Sequence, residues 1–94
     1  MIKRINNNKY FIRVSTRKNK KYDVLKWDKD DKEYKYIVSF GDSRYQQYKD
    51  QLLGVYSHLD HLDEKRRDNY RKRHAKDDLN NSDSAGYWSY FFLW

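Results

Sequence analysis

Alternating apolar and polar positions between residues 9 and 40 predict β-strands. Glu33–Phe40 (EYKYIVSF) keeps a period of two most closely and is rich in residue types that favour strands. Lys21–Trp27 (KYDVLKW) predicts a second strand, and the polar stretch Asp28–Lys32 between them is typical of a hairpin loop. Lys9–Thr16 alternates more weakly and could add a third strand. With strict alternation, one face of the last strand would carry Tyr34, Tyr36, Val38 and Phe40.

Gly41 and Asp42 follow the last strand and predict a corner. Glycine enters the left-handed backbone region without steric penalty, and an aspartate carboxylate can cap the turn that follows. Tyr45 and Tyr48 are three residues apart and would share one face of a short helix. We therefore expect Asp42 to be structural, as a cap of the turn, as the partner of an arginine on the next helix, or as both.

Asp63–Lys76 (DEKRRDNYRKRHAK) is the strongest helix prediction. Asp63 is a preferred N-cap residue, an acidic residue follows it, and basic residues cluster toward the last turn. Tyr70 is the one large apolar side chain on one face, so this helix should pack through that ring and the stems of arginines. The other members of the face are Arg67, Arg71 and His74, of which the two arginines are candidate partners of Asp42.

The segment Ala85–Trp94 (AGYWSYFFLW) contains seven large apolar side chains. If exposed, it would promote aggregation, so we expect it to close the core as a short helix or an extended strap. On a helix, Tyr87, Phe91 and Trp94 would share a face, with Trp88 beside them. Together the elements predict an α+β fold, in which a small antiparallel sheet of two or three strands precedes a helical half and an aromatic C-terminal segment.

Positive charge is concentrated near the N-terminus. The 94-residue chain has a net charge of +7; residues 1–27 contain nine Lys or Arg against one Asp, whereas residues 51–94 contain seven of each sign. We expect residues 1–20 to form a basic arm with a weak first strand, and residues 21–94 to form a single small domain. Such an arm favours nucleic acid, an acidic protein surface or anionic lipid, although it could also serve only as a solubilising tail.

Composition narrows the class of protein. Aromatic residues make up 18% of the chain, which argues against disorder, and the lack of cysteine excludes disulfides and thiolate metal sites. No apolar run approaches the roughly 20 residues of a membrane span, and the first eight residues lack the apolar stretch of a signal peptide. We expect a folded, soluble protein that is not secreted and makes no membrane contact.

Basic residues supply the candidate binding sites. Contact between the arm and nucleic acid would be electrostatic and largely independent of sequence. Tyr10, Phe11, Tyr22 and Trp27 interleave with basic residues, as on surfaces that stack bases, although ordinary strand packing would use the same residues. The candidate binding residues are Lys3, Arg4, Lys9, Arg13, Arg17, Lys18, Lys20, Lys21, Arg66 and Arg73.

His58, Asp60 and His61 provide the enzymatic alternative. Imidazole and carboxylate groups at this spacing could hold zinc or manganese, which would activate water against a phosphodiester bond as in a metal-dependent nuclease. The same residues have structural uses, since Asp60 and His61 can cap a following helix. The serines have no glycine elbow around them, and no glycine-rich loop could cradle a phosphate. We expect no enzymatic activity, no cofactor and no small-molecule substrate.

Several motifs resemble a known family when taken in order. They are Gly41-Asp42-Ser43-Arg44-Tyr45 with Asp50, then Tyr56-Ser57-His58-Leu59-Asp60-His61, then Arg66-Arg67 through Tyr70 to Arg73-His74, and Ala85-Gly86-Tyr87-Trp88-Ser89 with Leu93-Trp94. This pattern resembles a family of small uncharacterised proteins of nucleocytoplasmic large DNA viruses, with related versions in tailed phages. The resemblance covers roughly residues 21–94 and implies a viral protein rather than a particular reaction.

The resemblance implies a small basic virion protein, found in the virion and in the host cytoplasm during infection. It would be a minor capsid or genome-contacting component that binds packaged nucleic acid or an acidic capsid or virion protein. The motif residues expected to set the fold are Gly41, Asp42, Arg44, Tyr45, Arg67, Tyr70, His74, Trp88 and Trp94.

Overall fold

The computed structural model describes all 94 residues and contains four strands and two helices. The strands are β1 (Ile2–Ile5), β2 (Asn8–Val14), β3 (Lys20–Asp28) and β4 (Glu33–Asp42). A short 3₁₀ turn at Ser57–Leu59, helix α1 (Glu64–Arg73) and helix α2 (Ala85–Phe92) follow. Each strand pairs antiparallel with the next, in the order β1-β2-β3-β4. The α+β class is confirmed, but the sheet has four strands rather than two or three.

Most of residues 1–20 belongs to the sheet, as β1 and β2, so the predicted first strand is present but is not part of a separate arm. β1 and β2 are joined by a two-residue turn in which Asn6 and Asn7 have φ values of 50° and 66°. Asparagine tolerates this left-handed conformation better than most residues, and two such residues in succession match the tight hairpin turns that suit strand twist. On β2, Tyr10 and Ile12 are fully buried. The N-terminal hairpin therefore supplies two of the four strands and part of the core.

A β-bulge in β4 places the four residues that strict alternation puts on one face on two opposite faces of the sheet. Val24 of β3 lies opposite Val38, but the next residue, Leu25, lies opposite Tyr36, which leaves Ile37 as the extra residue. A bulge of this kind moves every later side chain of the strand to the opposite face. Phe40 and Val38 therefore face the core, whereas Tyr36 and Tyr34 lie on the other side of the sheet.

Helix α2 covers one face of the sheet and completes the core. Trp88 is fully buried; its ring meets Tyr10 edge-on at 5.4 Å, and its indole N–H donates to the main-chain oxygen of Ser82 at 2.8 Å. Leu93, just after the helix, is also buried, whereas Phe91 is 41% exposed. The predicted short helix is present, and Tyr87 and Phe91 share one side of it, with ring centroids 4.8 Å apart. Trp94 lies beyond the end of α2, so its predicted place on that face is wrong, and it is Trp88 that faces the core. The buried core consists of Tyr10, Ile12, Tyr22, Val24, Phe40, Trp88 and Leu93.

Residues 43–50 contain no helix, so the short helix predicted at Tyr45 and Tyr48 is wrong. Gly41 does have a left-handed φ of 74°. A Cβ added there would lie 3.0 Å from side-chain atoms of Leu93 and Lys21, so the corner requires glycine for both conformation and space.

Polar side chains stabilise the irregular segment between β4 and α1. The buried Gln47 donates through Nε2 to the main-chain oxygen of Tyr56 at 2.8 Å and to Asp60 Oδ1 at 2.6 Å. Asp50 accepts hydrogen bonds from the Tyr22 hydroxyl at 2.5 Å and from the Tyr56 N–H at 3.1 Å. These bonds replace the ladder that a helix or strand would provide.

Helix α1 begins after Asp63, whose carboxylate accepts from two main-chain N–H groups of the first turn, so the predicted N-cap is confirmed. The Tyr70 ring stacks on Trp94, with centroids 4.3 Å and planes 7° apart. Arg67 and Arg71 donate through Nε to the main-chain oxygen of Trp94 at 2.9 and 3.2 Å. One aromatic stack and two arginines thus attach α1 to the end of the chain, and the helix buries none of its own residues.

Candidate nucleic-acid interface

The outer face of the sheet, which we define as the face opposite α2, carries aromatic side chains from three strands. Phe11 lies on β2, Trp27 on β3, and Tyr34 and Tyr36 on β4. The Tyr34 ring lies 5.7 Å from Phe11 and 5.0 Å from Trp27, measured between centroids. Each of the four rings keeps part of its surface in solvent. Because α2 packs on the opposite face, this aromatic group is not part of the core.

Basic side chains surround these rings. Arg4 and Lys9 lie opposite each other on β1 and β2. The Lys9 Nζ atom is 4.4 Å from the centroid of Trp27, and the Arg17 Cζ atom is 4.5 Å from the centroid of Tyr36. Arg4 also lines a cavity of about 410 Å³ with residues 6–8 at the β1–β2 turn. The outer face therefore combines aromatic rings with cations at its rim.

Asp23 is the one carboxylate that the strand registers place on the outer face, and it is already paired. It accepts from Arg13 Nε at 3.2 Å and from the Ser39 hydroxyl at 2.6 Å. Burial alone would raise its pKa, but hydrogen bonds from Ser15, Ser39 and Arg13 outweigh this and hold the pKa of Asp23 below its usual value. Asp23 stays ionised at neutral pH and cancels only the charge of Arg13, so the face retains a positive excess.

The side chains of six of the ten predicted binding residues make no hydrogen bond or ring contact with the outer face. Lys3 points to the core side, with its Nζ atom 5.2 Å from the ring of Phe92. Lys18 and Lys20 are exposed near the β2–β3 turn, Arg66 and Arg73 lie on α1, and Lys21 is buried. The outer face therefore holds Arg4, Lys9, Arg13 and Arg17.

Lys21 has a structural position and is not available to a partner. It is 2% exposed and donates to the main-chain oxygen of Tyr45 at 2.9 Å and to the side-chain oxygen of Gln47. Burial lowers the pKa of Lys21, while the nearby charges of Asp42, Asp50 and Asp60 act in the opposite direction. Its assignment to the binding surface was wrong, because the segment after β4 folds over it.

The residues of the enzymatic alternative do not converge on a common centre. Asp60 accepts hydrogen bonds from Gln47 and from the N–H of Asp50, and His61 Nδ1 accepts from the N–H of Asp63 at 2.9 Å. His58 lies in the 3₁₀ turn. No group of three or more His, Asp or Glu side chains is arranged to hold a metal ion, so the ligand set predicted from their spacing does not form.

Asp42 pairs with Arg44, so the predicted partners Arg67 and Arg71 were wrong. The Asp42 carboxylate accepts from the main-chain N–H of Arg44 at 2.9 Å and from its guanidinium at 3.0 and 2.8 Å. These hydrogen bonds lower the pKa of Asp42 to about 2. Tyr45, the next motif residue, is 64% exposed. The Gly41–Tyr45 stretch thus forms a turn that bonds back to Asn19 and Lys21 and does not link the sheet to α1.

The remaining motif residues lie in two places. Trp88 is in the core, and Arg67, Tyr70, His74 and Trp94 lie together where α1 meets the end of the chain. The His74 ring is 4.2 Å from that of Tyr70.

Comparison of the chain with protein-family models, curated proteins and solved structures returned no match. No helix is both long and apolar enough to cross a membrane.

Tyr34 and Tyr36 are the site residues that sequence reasoning missed. Strict alternation placed them on the same face as Val38 and Phe40, and the bulge at Ile37 moves them to the outer face. The signal was the adjacent apolar pair Ile37-Val38, which interrupts a period of two. Tyr10 and Tyr22, by contrast, were candidates for base stacking, but both are buried.

Proposed function

We propose that this protein binds single-stranded nucleic acid on the outer face of its sheet, without catalysing a reaction. The observation that carries the proposal is the group of partly exposed rings on three adjacent strands, bordered by cations. Bases stack on such rings with little regard to sequence, and arginine or lysine neutralises the phosphates between them.

The aromatic rings favour a single strand over a duplex. Stacking on a side chain requires an unpaired base whose face is free, and base pairs inside a duplex do not offer one. A four-stranded sheet that stacks bases on its exposed aromatics is a known way to read single strands. The rings also favour nucleic acid over an acidic protein surface, which would need the cations but not Phe11, Trp27 or Tyr34.

The resemblance of residues 21–94 to small proteins of large DNA viruses supports a location for this binding activity in the virus and the infected cell. We propose that the chain is a virion-associated protein that contacts packaged or newly made genome, and that it is present in the host cytoplasm during infection. Electron microscopy of virions labelled with an antibody to the chain tests this location, which the binding experiment below does not depend on.

Titration of a fluorescent oligothymidylate of about ten nucleotides tests the activity. Phe11→Ala with Tyr34→Ala should weaken binding about five- to hundredfold for each base that loses its platform. Arg4→Gln with Lys9→Gln should also weaken binding and make it less steeply dependent on salt. A duplex of the same length should bind more weakly, and the aromatic change should affect it little.

Two variants serve as matched controls. Phe91→Ala removes an exposed ring on α2, and Lys65→Gln removes an exposed cation on α1, both away from the outer face. Both should bind like the parent. If Phe11→Ala with Tyr34→Ala binds the oligonucleotide like the parent while the Arg4 and Lys9 changes weaken it, the contact is electrostatic only and the stacking proposal is wrong.

A further inference from the structure

A second surface, on helix α1, makes no hydrogen bond or ring contact with the outer face and also has side chains that suit an anion. A cavity of about 510 Å³ is lined by five residues: Arg66, Asn69, Lys72, Arg73 and Trp94. Its volume lies within the range of about 300–1,000 Å³ that is usual for ligand sites. The α1 residues recur at spacings of three and four, so they share one side of the helix.

The side chains of this cavity offer hydrogen-bond donors without a carboxylate among them. Each of the four polar residues carries N–H donors, and Asn69 alone adds an acceptor. Arg66 donates to Gln46 at 2.9 Å, while Lys72 and Arg73 make no ion pair. The partial negative charge at the end of α1 offsets about half of one unit charge, which leaves the three cations in excess.

We propose that this cavity binds a phosphate group. Guanidinium groups match the oxygens of phosphate in geometry, and a lysine adds a point charge. Trp94 forms one wall and is held in place by its stack on Tyr70 and by its contact with His61. The phosphate can come from a free anion or from the backbone of a nucleic acid, and the two sources are distinguished by experiment.

This site is separate from the outer face. α1 contacts Tyr48, Gln46, Tyr90 and Trp94, and none of its hydrogen bonds or ring contacts reaches an outer-face residue. Tyr90 belongs to α2, which packs on the opposite side of the sheet. Phosphate binding at α1 can therefore be tested independently of base stacking on the outer face.

The three tryptophans allow both sites to be followed in one spectrum. Trp27 lies on the outer face, Trp94 lines the cavity, and Trp88 is buried and serves as an internal reference for folding. In a ¹⁵N–¹H correlation spectrum, added pyrophosphate should shift the indole signal of Trp94 and leave those of Trp27 and Trp88 in place. Oligothymidylate should shift both Trp27 and Trp94 if the cavity also accepts a phosphate of the nucleic-acid backbone, and Trp27 alone if it accepts only free anions.

The variant Arg66→Gln with Arg73→Gln should weaken pyrophosphate binding about tenfold or more, since two charge-assisted contacts are lost. Lys65→Gln changes an exposed cation of the same helix that does not line the cavity, and it should bind like the parent. An unchanged Trp88 signal shows that each variant is folded. The proposal is overturned if pyrophosphate shifts Trp94 no more than sodium chloride of equal ionic strength, or if the double variant binds as tightly as the parent.

Discussion

At the scale of single residues, Asp42 stabilises the turn in which it lies. Its carboxylate is held by Arg44, two positions along the chain, and does not reach any residue of α1. Gly41 beside it makes the turn possible through its positive φ. Asp42 therefore acts on its neighbours in sequence, while Lys21 holds the end of the turn through the main-chain oxygen of Tyr45. The charge of Asp42 contributes only while it is ionised.

The lowered pKa of Asp42 predicts a pH dependence of stability. Because its pKa falls from 3.8 to about 2, the unfolded chain binds the proton more readily than the folded one. The stabilising contribution is complete above pH 4 or so and is lost as the pH falls through about 2. Asp42→Asn should therefore melt at a temperature that changes less between pH 5 and pH 2 than that of the parent. Thermal melts by circular dichroism at several pH values measure this.

Asp68→Asn is the matched control for that change, because Asp68 is exposed on α1 and makes no ion pair. Its acid profile should follow the parent. If Asp42→Asn and Asp68→Asn show the same profile, the pairing with Arg44 does not stabilise the turn.

At the scale of elements, the N-terminal hairpin is as much a part of the fold as the helices. Tyr10 of β2 is buried against Trp88 of α2, and its hydroxyl bonds to Ser82 at 2.7 Å and Asp83 at 2.6 Å. Burial, and next the hydrogen bond to Asp83, raise the pKa of Tyr10 to about 12, while the hydrogen bond to Ser82 acts in the opposite direction. One β2 side chain thus connects the sheet to the segment that leads into α2.

Removing residues 1–14 should therefore unfold the chain. The deletion takes away Tyr10 and Ile12, and each large-to-small loss in a core costs about 2–5 kcal/mol. A small domain has a total free energy of unfolding of about 5–15 kcal/mol. The deletion removes both side chains and two whole strands, so we expect its cost to exceed this total. Circular dichroism should show no cooperative melt.

A full-length variant with Arg4→Gln and Lys9→Gln distinguishes the effect of lost charge from the effect of lost core packing. It loses positive charge at the same end of the chain but no buried side chain, so it should melt close to the parent. A deletion variant that still melts cooperatively near the parent temperature would mean that residues 1–14 are an appendage after all.

At the scale of the whole molecule, local signals in the sequence predicted the elements but not which faces meet. The β3–β4 hairpin and α1 with its Asp63 cap follow from patterns within a few residues. The pair Ile37-Val38 marks where alternation breaks, but it does not say which side of the break faces the core. The inward position of Trp88 depends on Tyr10 and Phe40, which no window of sequence around Trp88 contains. The sequence predicted two of the four aromatic residues of the outer face, Phe11 and Trp27. It could not predict the α1 cavity, because one wall of that cavity is Trp94, whose position depends on the fold.

If the outer face binds a single strand and the α1 cavity accepts a phosphate of the nucleic-acid backbone, the molecule has two surfaces for nucleic acid and should bridge two strands. Phe11 and Tyr34 lie on one side of the sheet, whereas Arg66 and Arg73 line a cavity on α1. A mixture of donor- and acceptor-labelled oligothymidylates should show energy transfer when the protein is added at less than one equivalent. The variant Arg66→Gln with Arg73→Gln should still bind one strand with little change in affinity but lose the transfer, because only its outer face remains. Sedimentation at the same concentrations identifies bridging by a dimer, which would keep the transfer in that variant. Energy transfer that is undiminished in a monomeric Arg66→Gln, Arg73→Gln variant would contradict a role for the α1 cavity in bridging.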